Sequence, residues 1–211
     1  MATNVIANRA DAVPLPSTAY ERFAGVCGIG AGLAGFLYAV AFILLRNDLL
    51  SALFLLLTGF LATAALVAVY HRLRSTDADF ALWALLLGIV GALGATIHGG
   101  YDLANAINPP AGAPLDLPSQ IDPRGLLTFG VAAIALFVVA WLIGKGRQLP
   151  IGLSYLGYLS ALLLIILYLA RLVILDPANP IILAPALLNG FLVNPAWYIW
   201  LGIILWRGRA G

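Results

Sequence analysis

Residues 23–70 read FAGVCGIGAGLAGFLYAVAFILL, then RND, then LLSALFLLLTGFLATAALVAVY. Each flanking run is long enough to cross a bilayer, which takes about 20 mostly apolar residues per helix. Spanning β-strands are short and alternate in polarity, so continuous runs of this length are helices. The only polar break is Arg46-Asn47-Asp48, a turn so tight that the two helices must be antiparallel neighbours. Four more stretches carry the same signal, at 80–97, 125–143, 151–170 and 181–206. The expected fold is all-α, a polytopic six-helix transmembrane bundle. Its expected parts are a polar tail over 1–21 and a membrane domain over 22–207. The six helices are placed at 23–45, 49–70, 80–107, 123–143, 151–171 and 180–206, with an external proline-rich cap over 108–122.

Composition agrees with this reading. The chain has 211 residues, of which 63% are hydrophobic and 9% charged, and its mean hydropathy is +1.01. Soluble domains are roughly 45–50% apolar and about 25% charged, and a chain this short cannot hide so much apolar surface in a core of its own. A soluble fold, a nucleic-acid binder and a disordered regulator are therefore all poor fits. The single cysteine, Cys27, rules out an intramolecular disulfide and a thiolate metal cluster. Arg9, Asp11, Glu21 and prolines occupy residues 1–21, with no apolar signal-peptide core, so the first span is expected to remain in the membrane.

Six spans put both termini on one side. Arg9, Arg22, Arg72, Arg74, Lys145, Arg147, Arg207 and Arg209 fall there, against Arg46, Arg124 and Arg171 on the other side. The bias of basic residues toward the cytoplasm predicts an N-in/C-in orientation. The end of the chain, with Trp206, Arg207 and Arg209, resembles in a generic way small bacterial polytopic proteins that finish in a tryptophan-rich helix and arginines. That resemblance implies a bacterial inner membrane.

Helices in lipid associate through close packing of small residues and through interhelical hydrogen bonds. Gly25, Gly28, Gly32, Gly35 and Ala39 form one stripe on the first helix, and Gly91, Gly94 and Ala95 form another on the third. The expectation is that these two helices approach each other closely. Gly30 to Gly35 also match the G-x-G-x-x-G dinucleotide fingerprint, but that motif works at a strand-to-helix turn with free backbone N–H groups. Inside a spanning helix those groups are already bonded, and the match is accidental.

Two sets of residues are candidates for a site. Extending the third helix to Ile107 puts His98, Asp102 and Asn105 on one face near the external edge of the bilayer, with Tyr101 close by and Arg124 returning from the cap at similar depth. Three roles fit this stripe. It ties the helix end to its neighbours; or it lines a ligand pocket in which Asp102 orients and polarises His98; or His98 is the axial ligand of a haem or chlorophyll-type pigment. No cofactor is required by the sequence, and the only other histidine, His71, lies at the opposite face. The second, weaker set is aromatic. Tyr155/Tyr158 and Trp197/Trp200 share helix faces, and with Trp141 nearby they outline a groove for a quinone, pigment or lipid tail; ordinary ring packing explains them too.

Shared depth further suggests a pair between Arg124 and Asp102, and one between Arg171 and Asp176 or Asp48. The sixth span is interrupted by Pro185, Gly190, Asn194 and Pro195, which predicts a kink at Pro195 with Asn189 or Asn194 satisfying freed backbone groups. No ionisable residue lies near a helix centre, which weighs against ion-coupled transport. No HExxH, GxSxG or paired-carboxylate motif supports catalysis. The expected role is an accessory or assembly subunit of a larger membrane complex, binding membrane lipids and other integral subunits or copies of itself, no nucleic acid, and potentially a lipid, quinone or pigment. The alternative is a small membrane enzyme or ligand sensor with its pocket around His98 and Asp102.

Overall fold

The computed structural model describes residues 18–109, 123–174, 176 and 178–208. Six helices long and apolar enough to span a membrane account for almost all of them. They run over Ala19–Leu45, Asp48–Leu73, Ala78–Ile107, Leu126–Lys145, Ile151–Val173 and Pro180–Arg207, with one helical turn, Pro123–Gly125, leading into the fourth. There is no strand among the described residues. This is an all-α, multi-pass membrane bundle. The expected cap lies almost wholly outside the described residues.

Local chemistry sets the boundaries. The first helix begins earlier than its apolar run, so Ala19–Glu21 belong to it and not to the polar tail. Thr18 explains the shift: its Oγ1 accepts the Glu21 N–H at 3.1 Å, while Glu21 Oε2 accepts the Thr18 N–H at 3.2 Å. These reciprocal bonds satisfy two N–H groups that the helix itself leaves unpaired. Between the first two helices, Arg46 takes a left-handed conformation at φ 50° and ψ 44°. Asn47 then caps the second helix, its Oδ1 accepting from Leu50 N at 2.9 Å. The sixth helix starts as expected, with Asn179 as cap (Ile181 N to Oδ1, 3.0 Å) and Pro180 at the first helical position.

Consecutive helices pack side by side, and the sixth returns to the first, so the six close into a ring. That closure redirects the glycine stripes. The first and third helices are not packed neighbours; Gly25, Gly28 and Gly32 meet the sixth helix instead. A methyl group on Gly25 would lie 2.7 Å from Gly202 O and from Trp206 N, and one on Gly32 would lie 2.9 Å from Pro195 O. Gly91 and Gly94 meet the fourth helix at Ala132 and Leu127. Small-residue spacing marks a face of close approach, but it does not name the helix that approaches.

The sixth helix is irregular where its prolines and asparagines predicted, by a different device. A wide π turn over Asn189–Val193 precedes Asn194–Arg207, and Asn194 N donates to Asn189 O, five residues back. In a normal α-turn the Pro195 ring would run into the carbonyl of Phe191; the extra residue in the turn gives it room. Asn189 does not serve the freed backbone. Its Oδ1 accepts from Ser160 Oγ at 2.8 Å, a buried bond to the fifth helix. Two more π turns occur, at Val40–Leu45 in the first helix and at Leu126–Val131 in the fourth.

The two halves of the ring are packed differently. At the end carrying Arg72, Val69, Leu73, Leu142, Ile143, Leu153, Trp197, Leu201 and Leu205 form a continuous core. A smaller cluster of Ala31, Ala62, Leu66 and Ala92 follows at mid-depth, and beyond it, toward the end carrying His98, the ring is hollow.

Candidate functional site

The hollow is a cavity of about 310 Å³, lined by residues from all six helices. Its wall is chiefly apolar and includes Phe42, Leu55, Ala95, Phe129, Leu167 and Ile182; Leu66, Val139, Trp197 and Tyr198 lie at its deep end. Each π turn contributes to the wall: Phe42 and Ile43 from the first, Thr128 and Phe129 from the second, Asn189 and Gly190 from the third. Inserting a residue widens a helical turn, and π turns recur at functional sites for that reason. Here three of them surround one space.

His98 and Asp102 lie in the wall near the rim, on the third helix as expected. Asp102 is held on both oxygens. Arg124 Nη1 donates to its Oδ1 at 3.1 Å, and His98 Nε2 lies 3.4 Å from its Oδ2. The other ring nitrogen of His98, Nδ1, is 3.5 Å from Thr128 Oγ1. Arg124 also places its guanidinium 4.6 Å from the centre of the Tyr101 ring, a favourable cation–π geometry. The chain Thr128–His98–Asp102–Arg124–Tyr101 thus fastens the end of the third helix to the start of the fourth. The Arg124–Asp102 pair is the one that shared depth suggested.

Of the five residues expected to form the pocket, His98 and Asp102 reach the cavity. Tyr101 is exposed beneath Arg124, while Arg124 and Asn105 are half-buried outside the wall. Arg171 departs from expectation. It has no ion pair with Asp48 or Asp176 and makes no hydrogen bond among the described residues; it lines the cavity one turn above Tyr168. Asp176 instead accepts the Ala178 N–H at 2.9 Å within its own turn. Axial ligation of a pigment would require His98 to release one of its two polar partners. Among the described residues no three metal-ligating side chains come together.

The five expected groove rings are spread over separate contacts. Trp197 is fully buried, donates from Nε1 to Leu153 O at 3.0 Å and alone of the five borders the cavity. Trp141 packs against Phe80 at 5.0 Å with Lys145 Nζ over its ring, and Tyr158 packs against Phe137 at 5.1 Å. Tyr155 is 67% exposed, and Trp200 covers Gly152. Helical spacing gave each pair a common stripe, yet a stripe spans about 100°, enough for Trp197 to point inward and Trp200 outward.

Sequence reasoning missed the polar groups deeper in the cavity. Asn194 and Tyr198, one turn apart on the sixth helix, both face it, and neither side chain has a hydrogen-bond partner among the described residues. In a membrane interior an unmatched amide and hydroxyl are costly unless water or a ligand meets them. The available signal was the i, i+4 spacing of two polar residues in an otherwise apolar helix. Comparison with protein-family models, with curated proteins and with solved structures gives no match.

Proposed function

We propose that the protein binds an elongated, mostly apolar small molecule inside the ring, with a polar head at the His98–Asp102 rim. The observation that carries this is the cavity itself: an apolar hollow of about 310 Å³ with a few convergent polar groups, where the rest of the bundle is densely packed. Such a combination, with volumes from about 300 Å³ upward, is what small-molecule sites look like. His98 and Asp102 supply hydrogen bonding at the mouth, and Asn194 and Tyr198 supply it at depth. A lipid or a quinone satisfies this description without any change in the protein. The site belongs equally to a binding subunit within a larger complex or to a solitary ligand sensor.

Ala95 lines the cavity wall, and Ala95→Phe should fill part of the space. Native mass spectrometry of the protein released from mild detergent is expected to show a bound small molecule whose occupancy falls at least ten-fold in this variant, while the delipidated variant melts with delipidated wild type. A ligand-free wild type, or equal occupancy in both, defeats the reading. Other membrane subunits in stoichiometric amount in the same spectra would assign the protein to a complex.

We further propose that both termini face the cytoplasm of a bacterial cell, which the eight basic residues on that side support. A cysteine introduced at Asp116, in a Cys27→Ser background, should react with an impermeant thiol reagent added outside the inner membrane. Labelling only from the cytoplasm would reverse the orientation.

A further inference from the structure

The charges at the cavity mouth specify the kind of head group that it accepts. Among the described residues Asp102 is the one carboxylate in the wall, and both of its oxygens are already engaged, by Arg124 and by His98. Its charge is already matched by Arg124, so it keeps acceptor sites for a hydrogen-bonding head but little pull on a cationic one. Arg171 is the opposite case. It lies in the last turn of the fifth helix, where a cation is favoured by the helix dipole, and no carboxylate among the described residues lies within ion-pair distance of it. Among the described residues, Arg124 is paired with Asp102, while Arg171, which lines the cavity, has no carboxylate partner.

The path below Arg171 is apolar. Tyr168, Leu167 and Leu164 follow it down the fifth helix, with Ile182 and Leu183 of the sixth helix on the same wall. The first and sixth helices also part toward this end. Their close glycine contacts run from Gly25 and Gly202 to Ala39 and Gly190; beyond these the first helix leans on the second and the sixth on the fifth. An acyl chain is thus offered a passage from the bilayer alongside a fixed positive charge.

Resting on the ligand-binding reading above, we propose that the natural ligand is a single-chain anionic amphiphile, its carboxylate or phosphate held by Arg171 and its chain in the cavity. A planar guanidinium presents paired donors that match either acid group. Neutral amphiphiles would enter the same space without that bond.

The test uses the full-length protein, delipidated in a non-ionic detergent, with three probes of equal chain length: palmitate, hexadecyl phosphate and hexadecanol. Binding is followed by native mass spectrometry and by the shift in melting temperature. The expected result is that both acids bind at least ten-fold more tightly than the alcohol. In Arg171→Gln the acids should fall to the level of the alcohol, and in Arg171→Lys a partial preference should return. Arg171 is exposed, so its replacement leaves the packed core intact. A preference for palmitate over hexadecyl phosphate, or the reverse, separates a fatty-acid source from a phosphorylated one. Equal binding of acids and alcohol, or a preference unchanged in Arg171→Gln, overturns the anionic assignment while leaving the cavity as a binding site. If none of the three binds and Ala95→Phe also changes nothing, the cavity reading falls with it.

Discussion

Glu21→Ala is expected to destabilise the bundle by about 3–5 kcal/mol, the usual cost of leaving a buried charge without its partner. Arg72 has 1% of its surface exposed, and its Nε donates to Glu21 Oε1 at 2.9 Å. Its Nη1 and Nη2 are buried and have no hydrogen-bond partner among the described residues, so nothing else there compensates the guanidinium when Glu21 is gone. The same carboxylate closes the capping box with Thr18, and that loss adds to the effect. Lys145 and Asp77 provide the contrast. They lie 3.8 Å apart with the lysine side chain 52% exposed, and Lys145→Gln should cost less than about 1 kcal/mol, as exposed pairs do. Replacing Arg72 by methionine in the Glu21→Ala background should recover most of the loss, because an apolar side chain carries no desolvation cost into the core. Thermal unfolding in detergent measures all three. A Glu21→Ala protein that melts with the wild type would show that the pair contributes nothing.

Gly25→Leu should be nearly as damaging, through packing. A single methyl group at this position already comes within 2.7 Å of backbone atoms of Gly202 and Trp206, and backbone cannot swing aside. Overfilling a packed site typically costs about 1–3 kcal/mol, and more where neighbours are rigid. Here the first and sixth helices would have to separate, opening the ring at the seam that closes it. Gly100→Ala is the control. Its nearest neighbour is Leu56 Cδ1 at 3.8 Å, an ordinary contact, and replacing a mid-helix glycine there should be neutral or gain up to about 1 kcal/mol. Equal stability of Gly25→Leu and Gly100→Ala would remove the seam from the account.

How much of the site was legible depends on how far the interacting residues lie apart in sequence. His98 and Asp102 are four residues apart, so helical periodicity alone put them on one face, and Arg124 was within reach because its depth in the membrane matches theirs. Shared depth pairs Arg171 with Asp176 or Asp48 and gives no sign of a cavity beside it. Its place beside the cavity depends on the fifth helix standing across the ring from the first two, which no local pattern records. The π turns were equally hidden: one lies beside a proline, but the turns in the first and fourth helices have no proline to announce them.

By itself the sequence determined that this chain is six membrane-crossing helices, with a tight turn at Arg46-Asn47-Asp48, a helix start at Pro180 and glycine faces meant for close contact. Those features follow from hydration and backbone geometry, which act over a few residues or one helical turn. Only the tertiary structure decided that the sixth helix closes onto the first, that the glycine faces meet the sixth and fourth helices, and that one half of the ring stays hollow. Lipid solvates an apolar helix equally well on every side, so hydrophobicity cannot choose its neighbours; steric fit between particular pairs of helices makes that choice.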